Sequence, residues 1–305
     1  VQENCKLVWQ NVLSSKKAYK NTKNYDFSHD SALIKNIIKR GSELRDQVIV
    51  FKLSSLVIVN DKLLEDFATI IQLLGDCGVK IFIVHDHINL VSETLKLVGC
   101  DETFIDSTKV VNHKNSKIVE MVLSGYINKR IASKLCNLGC FAVGISCKDA
   151  NLIQAQKSKV SNRRVTYQDV IDLDFAREPI MVNPEVLMNF EDNNIIPVIS
   201  PVACDENGNT HLLNVGLTAS VIASTLEADH LILLCDKLEF TNENSLKTRE
   251  ISMLQNLLNS SSNAEVIDLM EAAISSIQNT SNCVHFINAA FPNSILSSIV
   301  IDKEN

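Results

Sequence analysis

Val48-Ile49-Val50-Phe51-Lys52-Leu53 and Val79-Lys80-Ile81-Phe82-Ile83-Val84-His85 are two short, nearly unbroken apolar runs. Their length and their β-branched and aromatic content predict strands. The lack of hydrophobic–polar alternation predicts burial on both faces, as in a parallel sheet covered by helices on either side. Between them, residues 62–76 repeat apolar side chains at helical spacing. The pair of strands with a connecting helix is the unit from which an α/β fold is built.

The alternation continues outward. A helix is expected over 89–98, then helices over 115–124 and 127–139, and a strand over 141–146. Residues Gln154 to Tyr167 alternate weakly, as in a hairpin. Asn183-Pro184-Glu185 predicts a helix start with proline at its first position, running to about 192. A strand over 195–200, a turn at Asp205-Glu206-Asn207-Gly208-Asn209, a helix over 217–227 and a strand over 229–235 follow. The last part holds a Ser/Asn-rich loop (259–263), a helix (264–277) and a strand (283–287). Upstream, Leu33, Ile34, Ile37 and Ile38 keep helical spacing, and residues 1–30 predict a helical or partly ordered, Lys/Asn-rich extension. A lobe boundary is expected near residue 228. There is no internal repeat.

Charged residues at 21% and hydrophobic ones at 46% describe an ordinary globular chain. A formal net charge of −7 argues against a nucleic-acid footprint, and Lys16, Lys17 and Lys20 make too small a basic run to reverse that. No stretch reaches the roughly 18–20 apolar residues of a membrane span, so no membrane partner is expected. The chain opens on Val1 without a signal-peptide pattern, which leaves room for a targeting segment ahead of it. Nine cysteines are scattered with no C-x-x-C pair. They read as reduced thiols of a cytoplasmic protein rather than a disulfide framework. Cys136, Cys140 and Cys147 are one conceivable zinc set and His85 with His87 a conceivable metal pair. The plainer reading is turn and core residues, one of the two histidines buried and one solvated, with no metal.

In open α/β sheets, ligands bind at the carboxyl ends of the strands. That places Lys52 to Ser55, His85 to Asn89, Ser146 to Asp149 and Asp236 along one rim. Backbone that cradles a phosphate usually needs glycine, because only glycine allows close approach and positive φ without a Cβ penalty. This chain has nine glycines in 305 residues. The two turns read Ser54-Ser55 and Asp86-His87-Ile88-Asn89, with none.

Several stretches, in order and at consistent spacing, resemble the amino-acid kinase family, and within it the N-acetylglutamate kinases. Val119-Glu120-Met121-Val122-Leu123-Ser124-Gly125-Tyr126-Ile127-Asn128-Lys129 resembles the family's VEMVLAGKVNK. Ala142-Val143-Gly144-Ile145-Ser146-Cys147-Lys148-Asp149 resembles AVGLSGKD. Asn183-Pro184-Glu185-Val186-Leu187, Ile196-Pro197-Val198-Ile199-Ser200-Pro201 and Leu231-Ile232-Leu233-Leu234-Cys235-Asp236 also match. The similarity spans roughly 31–298. It implies a three-layer αβα sandwich with a largely parallel central sheet, an acceptor lobe over 31–228 and a nucleotide lobe over 229–305. It further implies ATP and Mg as cofactors, transfer of the γ-phosphoryl to the side-chain carboxylate of N-acetyl-L-glutamate in arginine biosynthesis, and a homo-oligomer.

Carried over residue by residue, the family pattern is only partly kept. Its first lysine falls on Lys52, the implied catalytic residue. The Gly-Gly after it falls on Ser54-Ser55, and His-Gly-Gly-Gly falls on His85-Asp86-His87-Ile88. The substrate-binding arginine falls on Lys109, which keeps the charge but not the bidentate fork. Asn-x-Asn-Ala-Asp falls on Leu212-Leu213-Asn214-Val215-Gly216, leaving Asn214 as the nearby substrate contact and Gly216 where the organising aspartate belongs. Gly-Gly-Met-x-x-Lys falls on about Ala264 to Leu269, without the lysine, and Asp-Gly-Arg on Asn288-Ala289-Ala290. Ser54, Ser55 and Asp236 remain as nucleotide contacts.

Removing one preorganised oxyanion donor typically costs roughly 10²–10³ in kcat. The pattern therefore predicts an acetylglutamate kinase-like protein with catalysis lost or nearly lost, serving a structural or regulatory role by pairing with itself or with an active paralogue. Two other expectations compete with it. One is an active divergent kinase that uses Lys52 with Lys148 or Lys109. The other is a non-catalytic sensor of a small molecule.

Overall fold

The computed structural model describes residues 43–99, 103–105, 108–110, 115–156, 178–236, 238, 244–261, 263–280 and 283–300. The expected extension over 1–30, the helix read from Leu33 to Ile38 and most of the 154–167 hairpin lie outside these residues.

The first apolar run forms β1 (Val48–Lys52) and the second β2 (Lys80–Val84), paired in parallel. They sit near the middle of a seven-stranded sheet. It is completed by β5 (Ala142–Ser146), β8 (Ile196–Ser200), β11 (His230–Cys235), β12 (Ser245–Thr248) and β13 (Cys283–Asn288). The order is β12-β13-β11-β1-β2-β8-β5, and every pairing is parallel except that of the edge strand β12 with β13. Short strands β3 (Thr103–Ile105) and β4 (Thr108–Val110) form a separate ribbon. A four-stranded sheet joins β6 (Ile153–Gln156), β7 (Glu178–Val182), β9 (Val202–Cys204) and β10 (Thr210–Leu212).

Two cores, one on each sheet face, explain why the central strands do not alternate. Ile49 and Phe51 of β1 pack into one core while Val48 and Val50 pack into the other. On the first face lie α2 (Asp61–Asp76), α3 (Ile88–Leu97), α4 (Ser116–Glu120), α5 (Asn128–Asn137) and, beyond these, the C-terminal helix Ser294–Val300. Phe67 of α2 meets Phe51 edge-on, with ring centroids 5.7 Å apart. The second face carries α6 (Pro184–Asp192), α7 (Val215–Thr225), α8 (Ile251–Ser260) and α9 (Ala264–Thr280). The expected three-layer α/β sandwich is the observed one.

Pro184 occupies the first turn of α6, as expected, although Asn183 donates its side-chain N–H to Ala150 O instead of capping the helix. The two helices expected over 115–124 and 127–139 are one continuous rod. A π-helical stretch, Met121–Ile127, bridges α4 and α5. A Cβ at Gly125 would meet nothing nearby, so its lack of a side chain reflects no steric demand there. Pattern reading missed α8 and the antiparallel edge strand β12. β12 is short and Lys/Thr-rich, so its hydrophobic pattern is weak, whereas α8 does carry Ile251, Leu254, Leu257 and Leu258 at helical spacing, beside the Ser/Asn-rich loop.

Candidate functional site

At the carboxyl ends of β1, β2 and β11 the chain brings Lys52, Ser54, His85, Asp86, His87 and Asp236 together, as the rim reading anticipated. Lys52 is buried at the end of β1, with Nζ 3.4 Å from Leu234 O. The turn after it is not an open loop. Ser54 caps a one-turn helix, α1 (Ser55–Val59), accepting from Val57 N–H at 3.4 Å. The adjacent amide, Leu56 N–H, donates to Asp236 Oδ1 at 3.3 Å. Donors at a helix start are the usual seat for a phosphate oxygen; here the chain's own hydroxyl and carboxylate take two of them.

Asp86 follows β2 and is close enough to Lys52, His87 and Asp236 to feel all of them. Burial pushes its carboxyl above the ordinary value. Lys52 and His87 pull it down and Asp236 pushes it up again. His87 is held below the ordinary imidazole value by burial, against the pull of Asp86, Glu93 and Asp236. One histidine was expected to be solvated. Both are buried, at 0% and 6% exposure, because the turn folds back over the sheet end and α3 starts at Ile88.

The neutral state of His85 has a structural cause. Burial and then Lys129 press its pKa down to about 3, and its Nε2 accepts from Asn128 Nδ2 at 3.0 Å. Asn128 is expected from sequence to be a cap. It is instead a fully buried hub inside the long helix, also donating to Val198 O at 2.7 Å and Ile145 O at 3.1 Å. The hub fits because position 144 has no Cβ; one would fall on Asn128 Oδ1.

The remaining candidates are placed elsewhere. Lys148 is ion-paired with Glu120, at 2.8 Å to Oε2, and donates to Thr210 Oγ1 at 3.1 Å. Asp149 accepts from Ser146 N–H at 2.6 Å and from Ser146 Oγ at 3.0 Å. Asn214 caps α7, its Oδ1 accepting from Leu217 N–H at 2.9 Å. Lys109 lies on β4 opposite Phe104, and its side chain is outside the described residues. Leu269, at the position implied for the second lysine, is buried inside α9. Cys136, Cys140 and Cys147 are not gathered into a metal-capable group; Cys147 belongs to the second core. Among the described residues no cysteine is joined in a disulfide.

Gly216 stands where the family resemblance implies an organising aspartate. A Cβ there would lie 3.1 Å from Ala272 Cβ and 3.3 Å from Asn214 Oδ1, because α9 packs directly on α7. Putting the carboxylate back is therefore expected to overpack the helix pair and bury an acid near Asp268 O, 3.6 Å from that Cβ. Gly216→Asp is expected to lower unfolding free energy by about 2–4 kcal/mol. Urea unfolding checks this; a change below about 0.5 kcal/mol, the ordinary surface value, overturns it.

Residues 47–284 match the model of the amino acid kinase family. The chain belongs to that family. Acetylglutamate kinase of Archaeoglobus fulgidus is 34% identical over 260 residues, covering 83% of this chain and 90% of that one. Acetylglutamate kinase of Campylobacter hominis is 33% identical over 264 residues, covering 86% and 90%. Among solved structures, N-acetylglutamate synthase from Neisseria gonorrhoeae, complexed with coenzyme A and N-acetyl-glutamate, superposes with a TM-score of 0.72 at 18% identity. That match covers 87% of this chain but only 59% of the synthase. Giardia carbamate kinase gives a TM-score of 0.60 at 14% identity, over 83% of this chain and 96% of that one. The two structures attest the fold alone. The sequence relatives make this amino acid kinase family member acetylglutamate kinase-like.

Proposed function

We propose that this chain is an acetylglutamate kinase homologue whose phosphoryl-transfer site is filled by its own side chains, leaving catalysis lost or nearly lost and the scaffold in a structural or regulatory role. One observation carries the reading: Asp86, where the family pattern has glycine, stands beside Lys52. A triphosphate entering there meets a carboxylate where it needs a donor. We place the division between acceptor and nucleotide lobes near residue 228, a cytoplasmic location, and assembly with itself or with an active paralogue within the same reading.

In the active-kinase alternative Lys52 is assisted by Lys148, which is paired with Glu120, or by Lys109. The sensor alternative has one observation in its favour. His85 Nδ1 and His87 Nδ1 are buried without a hydrogen-bond partner among the described residues, which leaves polar capacity at the rim for a small ligand.

Equilibrium titration with Mg·ATP, and separately with N-acetyl-L-glutamate, tests the reading. No saturable ATP binding is expected up to about 1 mM, the upper end of ordinary substrate affinities. Asp86→Gly is expected to bind ATP better than the parent, because it removes a carboxylate beside Lys52. ATP binding by the parent in the micromolar range overturns the proposal, and saturable binding of acetylglutamate alone selects the sensor.

A further inference from the structure

At the opposite ends of the strands from the rim, the two cores leave a polar cluster. His230 opens β11 and Cys283 opens β13, and the two stand directly opposite each other in the parallel pairing. His285 lies two residues beyond Cys283, so it shares that face of the sheet. One donor atom from each of these three side chains lies within 4.8 Å of the other two. His230 Nδ1 and His285 Nε2 are 3.0 Å apart, with the rings edge-to-face. Cys283 and His285 are essentially fully buried and His230 is 8% exposed.

We infer that His230 Nδ1, Cys283 Sγ and His285 Nε2 form a binding site for a zinc-type divalent cation, with a fourth position left for water on the His230 side. A thiolate and two imidazoles are the donor set that borderline-soft transition metals select over magnesium or calcium. In a tetrahedral site with Zn–N of about 2.0–2.1 Å, two nitrogen ligands stand about 3.3 Å apart; a separation of 3.0 Å needs only a small opening of the two rings. The second shell is already built. His285 Nδ1 is 2.6 Å from Ser298 Oγ, on the C-terminal helix. A proton held on Nδ1 by that hydroxyl leaves the Nε2 lone pair aimed at the metal, as ligating histidines require.

The thiol of Cys283 now points at Thr248 O, 3.8 Å away. On metal binding the Cys283 S–H bond breaks and its proton passes to solvent, while His230 gives up its Nδ1 proton and takes one on Nε2, so that the thiolate and both imidazole lone pairs form the metal bonds. Lys247 and Arg249 lie close enough to His285 for their charges to be felt there. The same two cations repel a divalent ion, and the thiolate charge offsets that repulsion in part. The cation would tie the starts of β11 and β13 to each other and, through Ser298, to the C-terminal helix. That role is independent of whether the rim binds ATP.

The test uses the full chain, stripped with a chelator and titrated with cobalt(II), then zinc(II). One equivalent of cobalt is expected to give the near-ultraviolet thiolate-to-metal charge-transfer band of a tetrahedral site. Zinc is expected to displace it and magnesium to leave it unchanged. Cys283→Ala is expected to abolish the band, whereas Cys136→Ser, at an exposed thiol, is expected to keep it. Ser298→Ala, which leaves all three ligands in place, is expected to weaken zinc binding about 10–100-fold in competition with a chromophoric chelator. No thiolate band, a band that survives Cys283→Ala, or one that disappears with Cys136→Ser would overturn the assignment. His230 and His285 would then share only a proton.

Discussion

From ATP, Mg and N-acetyl-L-glutamate, this protein is expected to form acyl phosphate, trapped as its hydroxamate, at least about 1,000-fold more slowly than the roughly 1–100 s⁻¹ of ordinary kinases. Two effects lead there, and either suffices. Phosphoryl transfer depends on positioned donors and cations, each worth roughly 10²–10³ when removed. Here the Leu56 amide is occupied by Asp236 and the Val57 amide by Ser54. The second effect is repulsion. Two unit charges about 4 Å apart at an effective dielectric near 20 interact by about 4 kcal/mol, some thousandfold in rate or affinity, and Asp86 stands at this rim where the family pattern has glycine. Burial raises the pKa of Asp86, so protonation relieves part of that repulsion as pH falls. Any residual activity is therefore expected to rise toward acid rather than fall. Turnover within about tenfold of ordinary kinase rates overturns the reading. Should a trace of activity appear, equal rates for the parent and Lys52→Ala assign it to a contaminant.

Asn128→Ala is expected to destabilise the fold by about 3 kcal/mol, lowering Tm by roughly 6–12 °C. The side chain reaches two main-chain carbonyls, Ile145 O on β5 and Val198 O on β8, together with the neutral ring of His85. Truncation leaves these buried acceptors without their donor, at about 1–3 kcal/mol for each group that finds no other partner. A helix cap lost to alanine typically costs only about 1 kcal/mol, so the magnitude separates the two roles. Denaturant unfolding gives the answer; a loss near 1 kcal/mol or below returns Asn128 to the cap role.

The central strands were legible because their residues carry the reason for their burial within themselves. Val48 to Phe51 and Leu231 to Cys235 are apolar at consecutive positions, which only a doubly covered strand requires. The helices α2, α6 and α9 announced themselves by period, and α6 also by proline at its start, whereas α7 is buried on nearly every side. The weakest element in sequence, β12, is held by its neighbour more than by pattern: it exists because β13 offers it an edge. At the rim, sequence placed Lys52, Ser54, Asp86 and Asp236 at strand ends but gave no sign of which would touch. The contact of Asp236 with Leu56 N–H joins residues 180 positions apart. The same limit hid the cluster at the other end. His230 is 55 residues from His285, and no local spacing resembles a metal motif, so attention fell on Cys136, Cys140 and Cys147 instead.

The sequence alone determined the layered α/β fold, the family and the glycine-poor turns after β1 and β2, since each follows from the identity and order of neighbouring residues. Tertiary structure decided what those turns became. With no glycine to open a cradle, Ser54 closed a helix turn, Asp236 crossed from the next strand to take its free amide, and α9 settled onto Gly216. A phosphate seat depends on donors left unpaired. Whether a donor is unpaired is settled by what distant chain segments bring to it.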